Sequence, residues 1–172
     1  MSLRKMIWLG PVVFLIHDLE EVFWTRPWIE KNRFLFEDTP LERVIEAMGY
    51  QPAKFGLVVA LITMLYGIIG YFATRRIQAG LGMNLYVSTV LILFGNVLTH
   101  AGQTVLLGRY TPGVITAILV VLPYTVIAFR TLRAHRLITR TTWNCTSIAW
   151  WTTRVQNTVP TNTAMKRSKA KR

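Results

Sequence analysis

His17, Glu20 and Glu21 stand at i, i+3 and i+4, so on a helix all three project from one face within about one turn. Asp18 between them points roughly 100° away. A second histidine, His100, follows Asn96 by four positions and precedes Gln103 by three, and Thr89 extends the same stripe one heptad back. Two histidines and two carboxylates converging between helices are the ligand chemistry of a divalent metal ion, because neutral imidazole and ionised carboxylate suit Zn first, and also Mn or Fe. Three protein ligands and one open position would make a catalytic site. In that arrangement His17, His100 and one of Glu20 or Glu21 bind the ion, the second glutamate acts as general base on bound water, and Asn96 or Gln103 orients a ligand or substrate.

The elements that must position these residues are written in the hydropathy of the chain. Of 172 residues, 52% are hydrophobic and only 16% are charged, against about 25% charged in soluble chains. Residues 55–74 and 110–129 are two uncharged, mostly apolar runs of 20, each matching the ~20 residues that cross ~30 Å of hydrocarbon as a helix. Residues 85–107 form a third span, whose strongly polar members are Asn96, His100 and Gln103. The fourth, first in the chain, covers about 6–24 and contains the His17 to Glu21 group. The expected fold is all-α: a four-transmembrane-helix bundle.

Each carboxylate at span depth costs on the order of 2.5–3.5 kcal/mol on insertion scales unless it is paired or near the interface. Three acids and a histidine within five positions should therefore face the bundle interior rather than lipid. All eight acids lie within the first 46 residues. Any chemistry that needs a carboxylate must then happen near the N-terminus.

Arg4 and Lys5 precede the first apolar run, but His-Asp-Leu-Glu-Glu follows it in place of a small-residue cleavage site, so it reads as an uncleaved helix. Arg75 and Arg76 lie between the second and third spans, and Arg130, Arg133, Arg136 and Arg140 follow the last. The positive-inside rule makes these places, and both termini, cytoplasmic, with the loop at 26–54 and the turn near Arg109 outside. In the outer loop Thr39-Pro-Leu-Glu42 is a capping box, and Leu41, Val44, Ile45 and Met48 repeat at helical spacing, which predicts a short amphipathic helix over the bundle mouth. The organisation is a membrane domain at 1–140 and a Thr-rich, basic, disordered cytoplasmic tail at 141–172.

The net charge of +12 belongs to span ends, where long apolar runs separate short basic clusters, so a nucleic-acid partner is not expected. The partners expected are the lipid bilayer, a lipid-like substrate and a second copy of the chain. Lone Cys145 allows no internal disulfide. Pro123 should kink the last helix and free a carbonyl, and the small pairs Gly95/Thr99 and Gly56/Ala60 should let helices approach closely.

Three functions fit these residues. The first is a metal-dependent membrane enzyme, hydrolytic, acting on a hydrophobic substrate that enters between helices. The second is a non-enzymatic membrane partner or assembly protein whose His–Glu network fixes helix register. The third is a proton or ion relay that works as a dimer.

His17-Asp-Leu-Glu-Glu21 in a first hydrophobic helix, Asn96-Val-Leu-Thr-His100 in a later one and Arg109-Tyr-Thr-Pro-Gly113 opening the last resemble the HXXEE-domain family of small bacterial and archaeal membrane proteins. The resemblance covers about Trp8 to Arg130. It implies an integral protein of a prokaryotic inner membrane, and metal chelation and catalysis that involve His17, Glu20 and Glu21. It names no reaction.

Overall fold

Ser2 starts the first helix: its hydroxyl accepts from the backbone N–H of Lys5 at 3.4 Å. This helix, α1 (Leu3–Lys31), runs for 29 residues, past the end expected near Trp24. Pro11 and Pro27 lie inside it. Each removes one N–H from the helical ladder, but neither ends the helix. Asn32 does, its side chain donating back to the Trp28 carbonyl at 2.8 Å, and a single 3-10 turn, Arg33–Leu35, follows. The computed structural model describes residues 1–35 and 51–138. The amphipathic helix expected at 39–49 and the tail expected at 141–172 lie outside these residues.

Three further helices complete the described chain: α2 (Pro52–Arg75), α3 (Leu81–Leu107) and α4 (Val114–Ala134). Pro52 opens α2 at a position whose N–H would have no helical partner in any case. Gly108 ends α3 at φ +62°, a left-handed conformation that favours glycine. Among the described residues, α2, α3 and α4 are long and apolar enough to cross a membrane. α1 is long enough, but Asp18, Glu20 and Glu21 interrupt its apolar stretch. The expected four spans are therefore recognisable by composition in three helices and not in the first.

α4 begins four residues later than the apolar run does, because Tyr110 to Gly113 form a turn. Its Thr111 hydroxyl bonds to Thr104 at 2.7 Å. The kink expected at Pro123 takes a definite form: Ala117–Val121 is a π-helical turn, in which the Leu122 N–H reaches back to the Ala117 carbonyl. Widening the ladder just ahead of Pro123 relieves the crowding its ring would cause in a regular helix.

α1 and α2 are antiparallel neighbours, with Gly70 against Ile7 near one end and Gly56 beside Val22 near the other. Among the described residues, Gly56 makes only ordinary contact at 3.9 Å and Gly95 has no neighbour within 4 Å, so the expected close approaches are not found there. The tight position is Gly10, where a Cβ would stand 2.6 Å from the hydroxyls of both Tyr66 and Tyr124. At this level Tyr66, Tyr86 and Tyr124 from α2, α3 and α4 meet around α1. The Tyr86 and Tyr124 hydroxyls bond to each other at 2.6 Å, and Met6, Ile7 and Val87 pack beside them. Leu57, Leu61, Leu65 and Ile68 of α2 point outward and are exposed, as lipid-facing side chains would be.

Candidate metal centre

One level above the tyrosines, α1, α3 and α4 each contribute polar residues. His17 is fully buried. Its Nδ1 lies 2.9 Å from Thr116 Oγ1 on α4, and its Nε2 lies 2.9 Å from the side-chain nitrogen of Asn96 on α3. The directions of these bonds are coupled. Thr116 donates its hydroxyl proton to Glu20 Oε2 at 2.6 Å, so Oγ1 accepts from His17 Nδ1–H. That leaves Nε2 as the unprotonated nitrogen, accepting from the Asn96 amide. Glu20 thus holds the His17 tautomer through one hydroxyl.

Glu20 is engaged at both oxygens. Oε2 also accepts the Thr116 backbone N–H at 2.9 Å, and Oε1 accepts the Tyr110 hydroxyl at 2.7 Å. Tyr110 lies in the turn ahead of α4, where burial, and then donation to Glu20, keep its phenol above its ordinary pKa.

Glu21 faces the histidines. Its Oε1 is 2.8 Å from His100 Nε2 and 3.7 Å from His17 Nε2, and the two imidazoles stand nearly perpendicular with centroids 5.0 Å apart. The close approach expected of His17 and His100 is therefore present. With Nε2–H directed at Glu21, the other ring nitrogen of His100, Nδ1, carries a lone pair. It is buried with no hydrogen-bond partner among the described residues.

Gly113 borders this group. A Cβ there would lie 2.6 Å from His100 Cε1 and 3.0 Å from both His100 Nδ1 and Glu21 Oε1, and its φ of +89° is itself a glycine conformation. The absent side chain lets the His100 ring and the Glu21 carboxylate pack directly against the turn.

His17, Glu21 and His100 each offer one donor atom, all within 4.8 Å of one another, and together could hold a metal ion. Zinc bonds of ~2.0–2.2 Å to nitrogen and oxygen would replace the present bonds of His17 Nε2 to Asn96 and of His100 to Glu21. A His17 Nδ1–H held by a hydroxyl and a carboxylate is also the outer support typical of a metal-bound histidine. The donor set fits a divalent ion.

Of the residues singled out by spacing, His17, Glu21, His100 and Asn96 come together, while Glu20 is drawn to Thr116 and Tyr110. Gln103 is exposed on α3. Asp18, which the helical wheel turns away, is nonetheless buried, 7% exposed. The arginines at the span ends pair elsewhere: Arg26 with Glu30 at 2.9 Å, and Arg109 with Asn32 at 2.9 Å.

The motif order across these helices is that of a described family: the model for a protein of unknown function with HXXEE motif matches residues 8–128. The chain belongs to the HXXEE family. No curated protein and no solved structure matches it. The HXXEE motif here is His17-Asp18-Leu19-Glu20-Glu21, and its two glutamates have separate surroundings, the first bonded to α4 and the second facing the histidines. Thr116, Tyr110 and Gly113 complete the site of this HXXEE protein. Thr116 carried no sequence signal, as one hydroxyl in an apolar run is ordinary in a membrane helix, whereas Tyr110 and Gly113 lie in the Arg109 to Gly113 segment that marks the family resemblance.

Proposed function

We propose that the protein is a metal-dependent membrane enzyme in which His17, Glu21 and His100 hold a divalent ion, zinc first by donor type, and that it hydrolyses a hydrophobic, lipid-like substrate. The observation that carries the reading is the convergence of three donor atoms from two helices within 4.8 Å, beside the orphaned His100 Nδ1. When bound, such an ion supplies Lewis acidity and lowers the pKa of a water on it.

The chain's own residues do the rest. Thr116 and Glu20 keep His17 Nε2 as the unprotonated nitrogen, the Asn96 amide that bonds to it at 2.9 Å would turn aside to release that lone pair to the ion, and Gly113 lets the His100 ring and Glu21 pack against the turn. In this reading Glu20, a candidate ligand or base by spacing, is the anchor of His17 rather than a ligand. α1 spans the bilayer with the other three helices, since its polar residues are turned inward, and both termini lie on the cytoplasmic side of a prokaryotic inner membrane.

Metal content of the detergent-purified full chain, measured by mass spectrometry after metal-supplemented expression without chelators, tests this. About one ion per chain is expected in wild type, with loss in Glu21→Gln and His100→Ala at unchanged fold. A metal-free wild type overturns the site. The 2.8 Å pair between Glu21 and His100 favours one alternative, a network that fixes helix register without an ion. That alternative wins if wild type carries no metal and Glu21→Gln lowers the melting temperature sharply.

A further inference from the structure

Two clefts on the side of the bundle share Trp24 and Tyr110. One, of about 380 Å³, is lined by these residues together with Trp28, Lys31 and Arg109. The other, of about 510 Å³, continues along Ile115 to Glu20 and Thr116. The shared walls make one groove. Its rim holds two cations and three aromatic side chains at the end of α1, and its floor is apolar until it meets the Glu20 carboxylate.

The rim is built rather than accidental. Arg109 donates to Asn32 Oδ1 at 2.9 Å and lies over the Phe34 ring at 5.3 Å. The Trp28 indole donates to the Tyr110 carbonyl at 2.6 Å. These bonds hold the α3–α4 turn against the end of α1, so Arg109 lines the same cleft as Lys31. Lys31 is eleven residues beyond Glu20, about 16 Å along the helix at 1.5 Å per residue. Tryptophan and tyrosine at this height mark the headgroup level of a bilayer. A ligand that fills the groove therefore needs an anionic group at the rim and an apolar chain running past Trp24 and Ile115.

We propose that this groove seats an anionic phospholipid, with its phosphate between Lys31 and Arg109 and an acyl chain along Trp24, Tyr110 and Ile115, ending beside Glu20 and Thr116. This site stands beside the reading of the His/Glu cluster rather than on it: with the phosphate at the rim, the ester and phosphoester bonds lie near Lys31, about 16 Å along α1 from Glu20, so the seated lipid is a bound partner and not the molecule hydrolysed. Charge complementarity supports it: among the described residues no carboxylate lines the rim cleft that holds Lys31 and Arg109, and Glu20 lies about 16 Å along α1 from Lys31.

The test reconstitutes the full chain in vesicles of phosphatidylcholine carrying a minor fraction of phosphatidylglycerol, then counts lipid retained after detergent extraction by native mass spectrometry. At roughly fivefold in binding per surface cation, wild type retains phosphatidylglycerol over phosphatidylcholine by about tenfold or more. Lys31→Gln alone reduces that preference several-fold, and Lys31→Gln with Arg109→Gln brings it near parity. Arg75→Gln with Arg76→Gln, at the opposite end of the bundle, leaves it unchanged. Equal retention of both lipids by wild type, or a preference untouched in the Lys31/Arg109 variant, overturns the proposal.

Metal content of the same samples separates the two readings. A metal-loaded wild type with no lipid preference removes the groove alone. A metal-free wild type that keeps phosphatidylglycerol removes the metal centre and leaves the groove standing.

Discussion

Two buried polar clusters sit one above the other in the same helical bundle, and they solve the problem of burial differently. The lower one joins Tyr66, Tyr86 and Tyr124 around Gly10: the Tyr86 and Tyr124 hydroxyls bond to each other and approach the Met6 carbonyl at 3.5 and 3.4 Å, while the Tyr66 hydroxyl is buried with no hydrogen-bond partner among the described residues. It contains no acid and no imidazole. The upper one gathers His17, Glu20, Glu21 and His100, with Thr116 and Asn96 setting the direction of each bond. Neutral hydroxyls inside a membrane protein need only modest hydrogen bonding, whereas buried carboxylates and imidazoles demand opposite charge, an ion or a function to offset their desolvation. The lower cluster is a packing device, and the upper one has the composition of a site.

That contrast breaks most sharply at the histidines. His17→Ala should reduce metal affinity more than about 100-fold, beyond what loss of an outer support produces, and titration of the purified variant with zinc measures it. Tyr66→Phe in the lower cluster should leave that affinity unchanged. Equal losses from both would erase the distinction between the clusters.

Thr116→Val removes the hydroxyl that links His17 to Glu20 while keeping side-chain volume. Its expected effect is a 10- to 100-fold loss of metal affinity, the usual range for an outer-shell partner, with helical content by circular dichroism retained. An unaltered affinity would mean that the His17 tautomer needs no help from Glu20.

A methyl group on Gly10 meets two tyrosine hydroxyls at 2.6 Å. Gly10→Ala should cost about 1–3 kcal/mol by overpacking, read as a lower melting temperature in detergent, with zinc affinity of the folded fraction the same as wild type. Altered zinc affinity would show that the two levels are mechanically coupled.

The smallest effect belongs to Tyr86→Phe. It removes the 2.6 Å bond to Tyr124 and should cost about 1 kcal/mol, again with metal binding untouched, as measured by the same melting and titration pair.

The membrane helices were legible because their signal is local: an unbroken apolar run of about 20 residues is a span wherever it occurs, and α2 and α3 lie where the hydropathy puts them. The grouping of His17 with Glu21 was legible for a similar reason, since residues four apart on a helix share a face. His100 was legible in the same way, from the Asn96, His100 and Gln103 stripe of a later helix, and the family resemblance marked it again. Spacing along one helix is silent, however, on which of two adjacent glutamates meets a partner from another. The position of α4 decides it, because Thr116 and Tyr110 draw both oxygens of Glu20 away and leave Glu21 with the histidines. The helical wheel likewise turned Gln103 inward, and the packing of α3 leaves it exposed; Asp18, roughly 100° from the His17 face, is buried, as expected of the acids in this group. Sequence periodicity by itself determined the helices and the faces that carry chemistry. Only the tertiary structure decided the partners, because hydrogen bonds between helices depend on crossing angle, on rotation about each axis and on the turn at Gly113, none of which is encoded in a spacing.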